Sequence, residues 1–233
     1  MTAATAGGPA RREDRRVPLT RMRRAIGRAM SASALVPQFT LQRDVATAEL
    51  KRQREGLDAE DRVSVSDQLT AAVARALVLH PRLNATLLAE QKEIVELAAI
   101  NVGLAFAVDD GLISPPIMGA DRLTLAQLAG TRREIGESVR SGTVAAAALA
   151  EVTFTISNLG PFGIDRFTAL VVPPQAAIVA VGSTRPDGSL TLSLSCDHRV
   201  VDGAPGAEFL RDVAAGLEEP SWMLELGTAG VGA

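Results

Sequence analysis

From Val17 onward the apolar positions switch repeatedly between helical and extended spacing. Met22, Ile26, Met30 and Ser33 fall on one helical face with arginines on the other, and Pro37 is expected to end that helix. Phe39 to Val45 alternates at period two and predicts a strand. Ser64-Val65-Ser66-Asp67 offers caps for a second helix carrying Leu69, Val73 and Leu77, closed by His80-Pro81. Val102, Leu104, Phe106 and Val108 alternate with small residues, which predicts one closely packed strand ending in the turn Asp109-Asp110-Gly111. Thr124 is placed to cap a long helix with Leu125, Leu128, Ile135 and Val139, stopped near Gly142.

The last third is strand-rich. Val152–Ser157, Gln175–Val181 and Ser189–Asp197 each predict β structure, the last two joined through the turn signal Pro186-Asp187-Gly188. Asp202-Gly203-Ala204-Pro205 then introduces a final helix with Phe209, Leu210, Val213 and Leu217 on its apolar face. Helices and strands mix without a regular βαβ period. The fold class expected is therefore α+β, a mixed β-sheet with helices packed on one side, forming one domain over residues 17–233. Residues 1–16 are Ala/Gly/Thr and then charge, and are expected to be a disordered tail.

The chain has 233 residues, of which 47% are hydrophobic, enough to bury a sizeable core. No apolar run reaches membrane-spanning length, no secretory signal pattern opens the chain, and a lone cysteine excludes an internal disulfide framework. A soluble cytoplasmic protein is expected, without a membrane partner. Net charge is −3, and the basic cluster from Arg11 to Arg28 has no interleaved aromatic side chains on which bases could stack. Nucleic acid is therefore not an expected partner.

Only two histidines are present, which narrows the search for a group that can exchange protons near neutral pH. His80 follows a helical run and precedes proline, where it would face the helix dipole. His198 continues the parity of Leu190, Leu192, Leu194 and Cys196, so its imidazole is expected to point inward at a strand end. Asp202 follows four residues later at the start of a helix, where a carboxylate could orient the imidazole as a general base. Spacing alone leaves a buried structural histidine equally open. Cys196 sits in an apolar face, more as a small hydrophobe than a nucleophile. Ser157 ends a strand before a Gly/Pro loop, where its hydroxyl could donate to an oxyanion, or where Ser157-Asn158 could simply form a turn.

Taken in order, several of these segments resemble the catalytic domain of the dihydrolipoamide acyltransferases, the E2 components of 2-oxo acid dehydrogenase complexes, whose fold is chloramphenicol acetyltransferase-like. The resemblance rests on Arg24–Met30, Leu83-Asn84-Ala85, Asn101–Ala105 and Gly111–Pro115. Most specific are Thr153–Gly160, Pro173–Ile178 and Asp197–Ala204. It implies that His198 deprotonates the acceptor, which attacks an acyl-CoA thioester directly. Ser157 would stabilise the oxyanion, and Asp202 would hold the active-site turn and assist His198. Asp197, Arg199, Gly203 and Asn158 would be structural at the site. It further implies coenzyme A or acetyl-CoA as substrate, no metal, and a homo-trimer or a multiple of it, with the site shared between chains.

Two departures from the family's pattern shape the expected acceptor. Nothing of domain size precedes Val17, and neither Lys51 after Leu50 nor Lys92 after Gln91 fits a lipoyl-bearing lysine, so no lipoyl group is expected on this chain. The hairpin between Val181 and Thr191 also looks short. The expectation is a stand-alone acyltransferase acting on a small-molecule hydroxyl or carrier-bound acceptor, of the kind used in antibiotic biosynthesis such as tetronate O-acetylation. The alternative is the catalytic core of a dihydrolipoamide acyltransferase.

Overall fold

A computed structural model describes residues 14–57, 63–90 and 92–225. Most of the proposed tail, residues 1–13, lies outside the described residues. The chain opens with helix α1 (Arg21–Ser33), capped by the Thr20 hydroxyl, which accepts from Arg23 N. Strand β1 (Gln38–Ala46) follows, then helices α2 (Ala48–Glu55) and α3 (Val65–Leu79). The predicted cap of α3 is a reciprocal capping box: Ser64 Oγ accepts from Asp67 N, and Asp67 accepts from Ser64 N. A hairpin of β2 (Ala85–Leu88) and β3 (Glu93–Glu96) places Lys92 in its connecting turn.

Where one strand was expected over Val102–Val108 there are two. Strand β4 (Val102–Leu104) lies in the main sheet, and β5 (Phe106–Val108) pairs instead with β6 (Gly111–Ile113). The break falls at Ala105, whose N–H makes the last bond, to Ile156 O, before the chain leaves the ladder. Period-two alternation marks extended backbone and carries no information on which sheet the backbone joins. After β7 (Pro116–Ile117) comes helix α4 (Leu125–Ser141), with a Thr124–Gln127 capping box and Gly142 at φ 69° as its left-handed C-cap. A short helix α5 (Ala146–Leu149) leads to β8 (Phe154–Asn158), β9 (Ala177–Val181), β10 (Ser189–Asp197) and helix α6 (Gly203–Glu218).

The main sheet has six strands in the order β1-β10-β9-β8-β4-β7. β8 runs parallel to β4 and β9, whereas β10 is antiparallel to both of its neighbours. One face carries Leu41, Leu192, Leu194, Val179, Ile156 and Val102, which join α3 and α6 in a single buried core. The expected mixed sheet is found, with α3 and α6 packed on this face, while α1 lies against the other. α6 lies close on the sheet at Gly206, where an added Cβ would meet Leu41 Cδ1 at 3.2 Å and Cys196 Sγ at 3.6 Å. No helix among the described residues is long and apolar enough to cross a membrane.

Candidate active site

The segment after β10 is a tight turn built by a carboxylate. Asp197, almost fully buried, accepts from Arg199 N at 2.9 Å and from the Arg199 guanidinium at 2.9 Å (Nε) and 2.7 Å (Nη2). Its backbone carbonyl accepts from Val200 N and Val201 N. The paired carboxylate raises the Arg199 guanidinium above its ordinary value.

His198 projects from this turn, and here the expected inward orientation is corrected. β10 ends at Asp197, and the His198 side chain is 52% exposed. Parity holds only while the backbone stays extended, and the Asp197–Arg199 clasp turns the chain one residue too early. His198 N still donates to Pro37 O, which ties the turn to the end of β1. Its ring rests on Phe39, with centroids 4.7 Å apart and planes tilted by 57°. Nδ1 lies 3.6 Å from Asp202 Oδ1, leaving Nε2 directed away from that partner.

Asp202 does not hold the turn. It occupies the N-cap position of α6, but its side chain makes no capping hydrogen bond and is 82% exposed. Its described interaction is with His198. Gly203 is the first residue of α6, with open space where a Cβ would stand.

Ser157 sits on β8, nine-tenths buried, on the sheet face opposite α3 and α6. Its hydroxyl has no hydrogen-bond partner among the described residues and lines a groove of about 600 Å³. The groove runs between α1 and the segment 167–175, walled by Met22, Ile26, Met30, Leu112, Leu170 and Ile178. Asn158 is structural: Oδ1 accepts from Gly160 N at 2.8 Å, and Nδ2 donates to Ser66 at 3.3 Å. Sequence reasoning missed Thr155 and Gln175, which share the groove with Ser157, and Phe39 beneath His198. The parity of β8 signals Thr155, two residues before Ser157 on the same face.

The sheet separates the two candidate residues within one chain. Ser157 pairs with Ala180, and Ala180 with Ser193, so Ser157 stands level with Ser193 across two strands. His198 lies five residues beyond Ser193, about 17 Å along the strand and about 10 Å across, or roughly 20 Å away. β8 and β10 are antiparallel, so their C-terminal ends point to opposite edges of the sheet.

Cys196 is fully buried, and desolvation first and the Asp197 charge second push its thiol up to about 12. His80 sits at the C-terminal end of α3, as expected. It caps α3, but its Nε2 meets Asp212 on α6 at 2.8 Å, and its ring stands edge-on to Phe209. It pins two helices together on the far side of the sheet from the groove. No cluster of three or more metal-ligating side chains occurs among the described residues.

Comparison with known proteins places this geometry. Residues 11–225 match the family model described as 2-oxoacid dehydrogenases acyltransferase (catalytic domain). The chain is 33% identical over 216 residues to the chloroplastic dihydrolipoyllysine-residue acetyltransferase component 5 of the pyruvate dehydrogenase complex of Arabidopsis thaliana. That match covers 88% of this chain and 46% of the relative. The chain spans about half the length of the curated relatives it matches. Among solved structures, the dihydrolipoamide acetyltransferase of Azotobacter vinelandii superposes with a TM-score of 0.85 at 30% identity. It covers 91% of this chain and 94% of that one, and a serine, a histidine and an asparagine were investigated there for their role in the catalytic mechanism. A chloramphenicol acetyltransferase superposes with a TM-score of 0.53 at 14% identity, covering 82% and 94% of the two chains, which shows a common fold. The chain belongs to the 2-oxoacid dehydrogenase acyltransferase catalytic-domain family.

Proposed function

We propose that this chain is the acyltransferase core that moves an acyl group between CoA and a dihydrolipoyl thiol. The observation that carries the reading is the unpartnered Ser157 hydroxyl in an apolar groove, in a chain of this family that also presents the exposed pair His198–Asp202. His198 Nε2 takes the proton of the attacking thiol while Asp202 faces Nδ1 and favours the imidazolium that forms. The thiolate attacks the thioester carbonyl. Ser157 donates to the oxyanion of the tetrahedral intermediate, which collapses with expulsion of the CoA thiolate, and the imidazolium returns its proton to that sulfur. No covalent acyl-enzyme forms, in keeping with a Cys196 thiol that is buried and far from ionising.

This reading replaces the small hydroxylated acceptor expected from the sequence. The relatives are dihydrolipoyllysine acetyltransferases, and a thiol acceptor fits them where an alcohol does not.

The roughly 20 Å between Ser157 and His198 supports a site completed between chains. In a closed ring of three, the exposed His198 of one subunit reaches the groove of the next, and its half-open flank is covered by that neighbour. The test is turnover of acetyl-CoA with free dihydrolipoamide and with small alcohols in parallel, followed by CoA thiol release. Transfer to dihydrolipoamide with alcohols inert is expected. Transfer to an alcohol at higher kcat/KM contradicts the reading.

A further inference from the structure

Three segments that meet beside the groove are tied together by one side chain. Gln38 is the first residue of β1 and lies on the groove face of the sheet. Its Nε2 donates to Ser33 O at 3.0 Å and to Ser33 Oγ at 3.1 Å, at the last residue of α1. Its Oε1 accepts from Val171 N at 2.9 Å. Ser33 Oγ completes the ring by donating to Val171 O at 2.6 Å. Ser33 and Val171 are fully buried, and a satisfied buried network of this kind holds its members in one arrangement. Met30, one turn before Ser33, and Leu170 and Val172, on either side of Val171, are groove walls. The neighbours of Gln38 touch the other half of the chemistry. Pro37 O accepts from His198 N at 2.8 Å, and Phe39 carries the His198 ring. Gln38 itself stands opposite Asp197 in the β1–β10 ladder. Between Ser33 and Gln38 only Val36 is buried.

We propose that Gln38 is a positioning residue for acyl transfer: it locks the turn that carries His198 to the groove wall of the same chain. The inference rests on the shared-site reading above and goes beyond it. The His198 ring is half-exposed, with Phe39 beneath it and Asp202 beside Nδ1, so the place of Nε2 follows the place of the start of β1. β1 is an edge strand, held by β10 on one side and, among the described residues, by no strand on the other. Gln38 supplies the second attachment. Because each chain lends its His198 to the Ser157 of the next, one clamp serves two sites. Through Ser33 and Val171 it shapes the groove of its own chain, and through Pro37 and Phe39 it places the base used by the neighbour. A displacement of about 1 Å at a reacting group can cost on the order of 10²-fold in rate. Loss of the clamp leaves the β1–β10 ladder in place, so a smaller cost of roughly tenfold is expected.

The test uses rings mixed from His198→Ala and Ser157→Ala chains, with acetyl-CoA as donor and dihydrolipoamide as acceptor. Each intact site in such a ring takes His198 from the Ser157→Ala chain and Ser157 from the His198→Ala chain. Gln38→Leu is added to one parent at a time. On the Ser157→Ala parent it reaches the intact site only through His198, and kcat should fall by roughly tenfold with both KM values within about twofold. On the His198→Ala parent it reaches the intact site only through the groove, and any change should fall on KM, with kcat within about twofold. Ser33→Ala keeps Val171 N bonded to Gln38 and should give the same pattern with a smaller loss; it decides the question if Gln38→Leu does not fold. Equal loss of kcat from both placements, loss of kcat from the groove placement alone, or unchanged kcat from both would overturn the assignment and leave the shared site intact. Mixed rings that stay inactive without any Gln38 substitution would overturn the shared site and the clamp with it. A wild-type chain that transfers no acetyl group from acetyl-CoA would overturn the acyl-transfer reading as well.

Discussion

Arg199 grips the Asp197 carboxylate through Nε and Nη2, and this clasp, not Asp202, folds the chain into the turn that carries His198. The arrangement divides the labour. A buried carboxylate paired with the partly exposed Arg199 sets the backbone, and an exposed carboxylate is left to face the imidazole. The division has consequences for mutation.

Asp197→Ala removes a buried acceptor of charge-assisted bonds and leaves Arg199 N without its partner. A loss of about 2–4 kcal/mol in unfolding free energy is expected, measured by urea denaturation. Asp202→Ala should leave stability within about 0.5 kcal/mol, because its side chain is exposed and caps nothing. Its effect should fall on kcat. Equal destabilisation by both variants would contradict the division.

Ser157→Ala should lower kcat by roughly 10²–10³-fold, the usual cost of one oxyanion donor. KM should change little, because the bond forms fully only in the transition state. Stability should hold, since the hydroxyl has no protein partner among the described residues. A large drop in melting temperature would assign Ser157 to the fold and not to the chemistry.

Cys196 should be inert in the native protein. Burial and the neighbouring Asp197 push its thiol up to about 12, so at pH 8 the thiolate is on the order of one part in ten thousand. A maleimide or an aromatic disulfide should label it only on unfolding. Rapid labelling of folded protein at pH 8 contradicts this.

Asp212 links acid stability to the His80 contact. The Arg211 guanidinium first and His80 second hold its carboxyl below the ordinary value of 3.8. A depressed carboxylate contributes stability above its unfolded pKa, and that contribution is lost as pH falls through the lower folded value. Wild type should therefore lose stability below about pH 4 more steeply than Asp212→Asn, when melting temperatures are followed from pH 6 to pH 2. Parallel curves would remove Asp212 from acid unfolding.

Much of this was legible in the chain. The Ser64 and Thr124 caps, the Gly142 stop and the β9–β10 hairpin lie where local chemistry dictates, because caps and turns depend on a few adjacent residues. The split at Ala105 was not legible, since partner choice is decided by strands distant in sequence. The outward His198 was missed for a related reason. Parity extrapolates a straight strand, and the bend comes from a side chain, Arg199, reaching back two residues. Gln175 was invisible as a groove residue because its partner, Thr155, is twenty positions away.

The shared site is the claim that most directly decides the account. His198→Ala and Ser157→Ala variants, each inactive alone, are mixed in equal amounts under conditions that let subunits exchange, and acyl transfer is measured before and after. In a closed ring whose sites each take His198 from one chain and Ser157 from the next, about a quarter of the sites become intact on random mixing. Recovery towards about a quarter of wild-type activity is the expected result. A mixture that stays as inactive as its parents after proven exchange, or full wild-type activity in a strictly monomeric species, would contradict it.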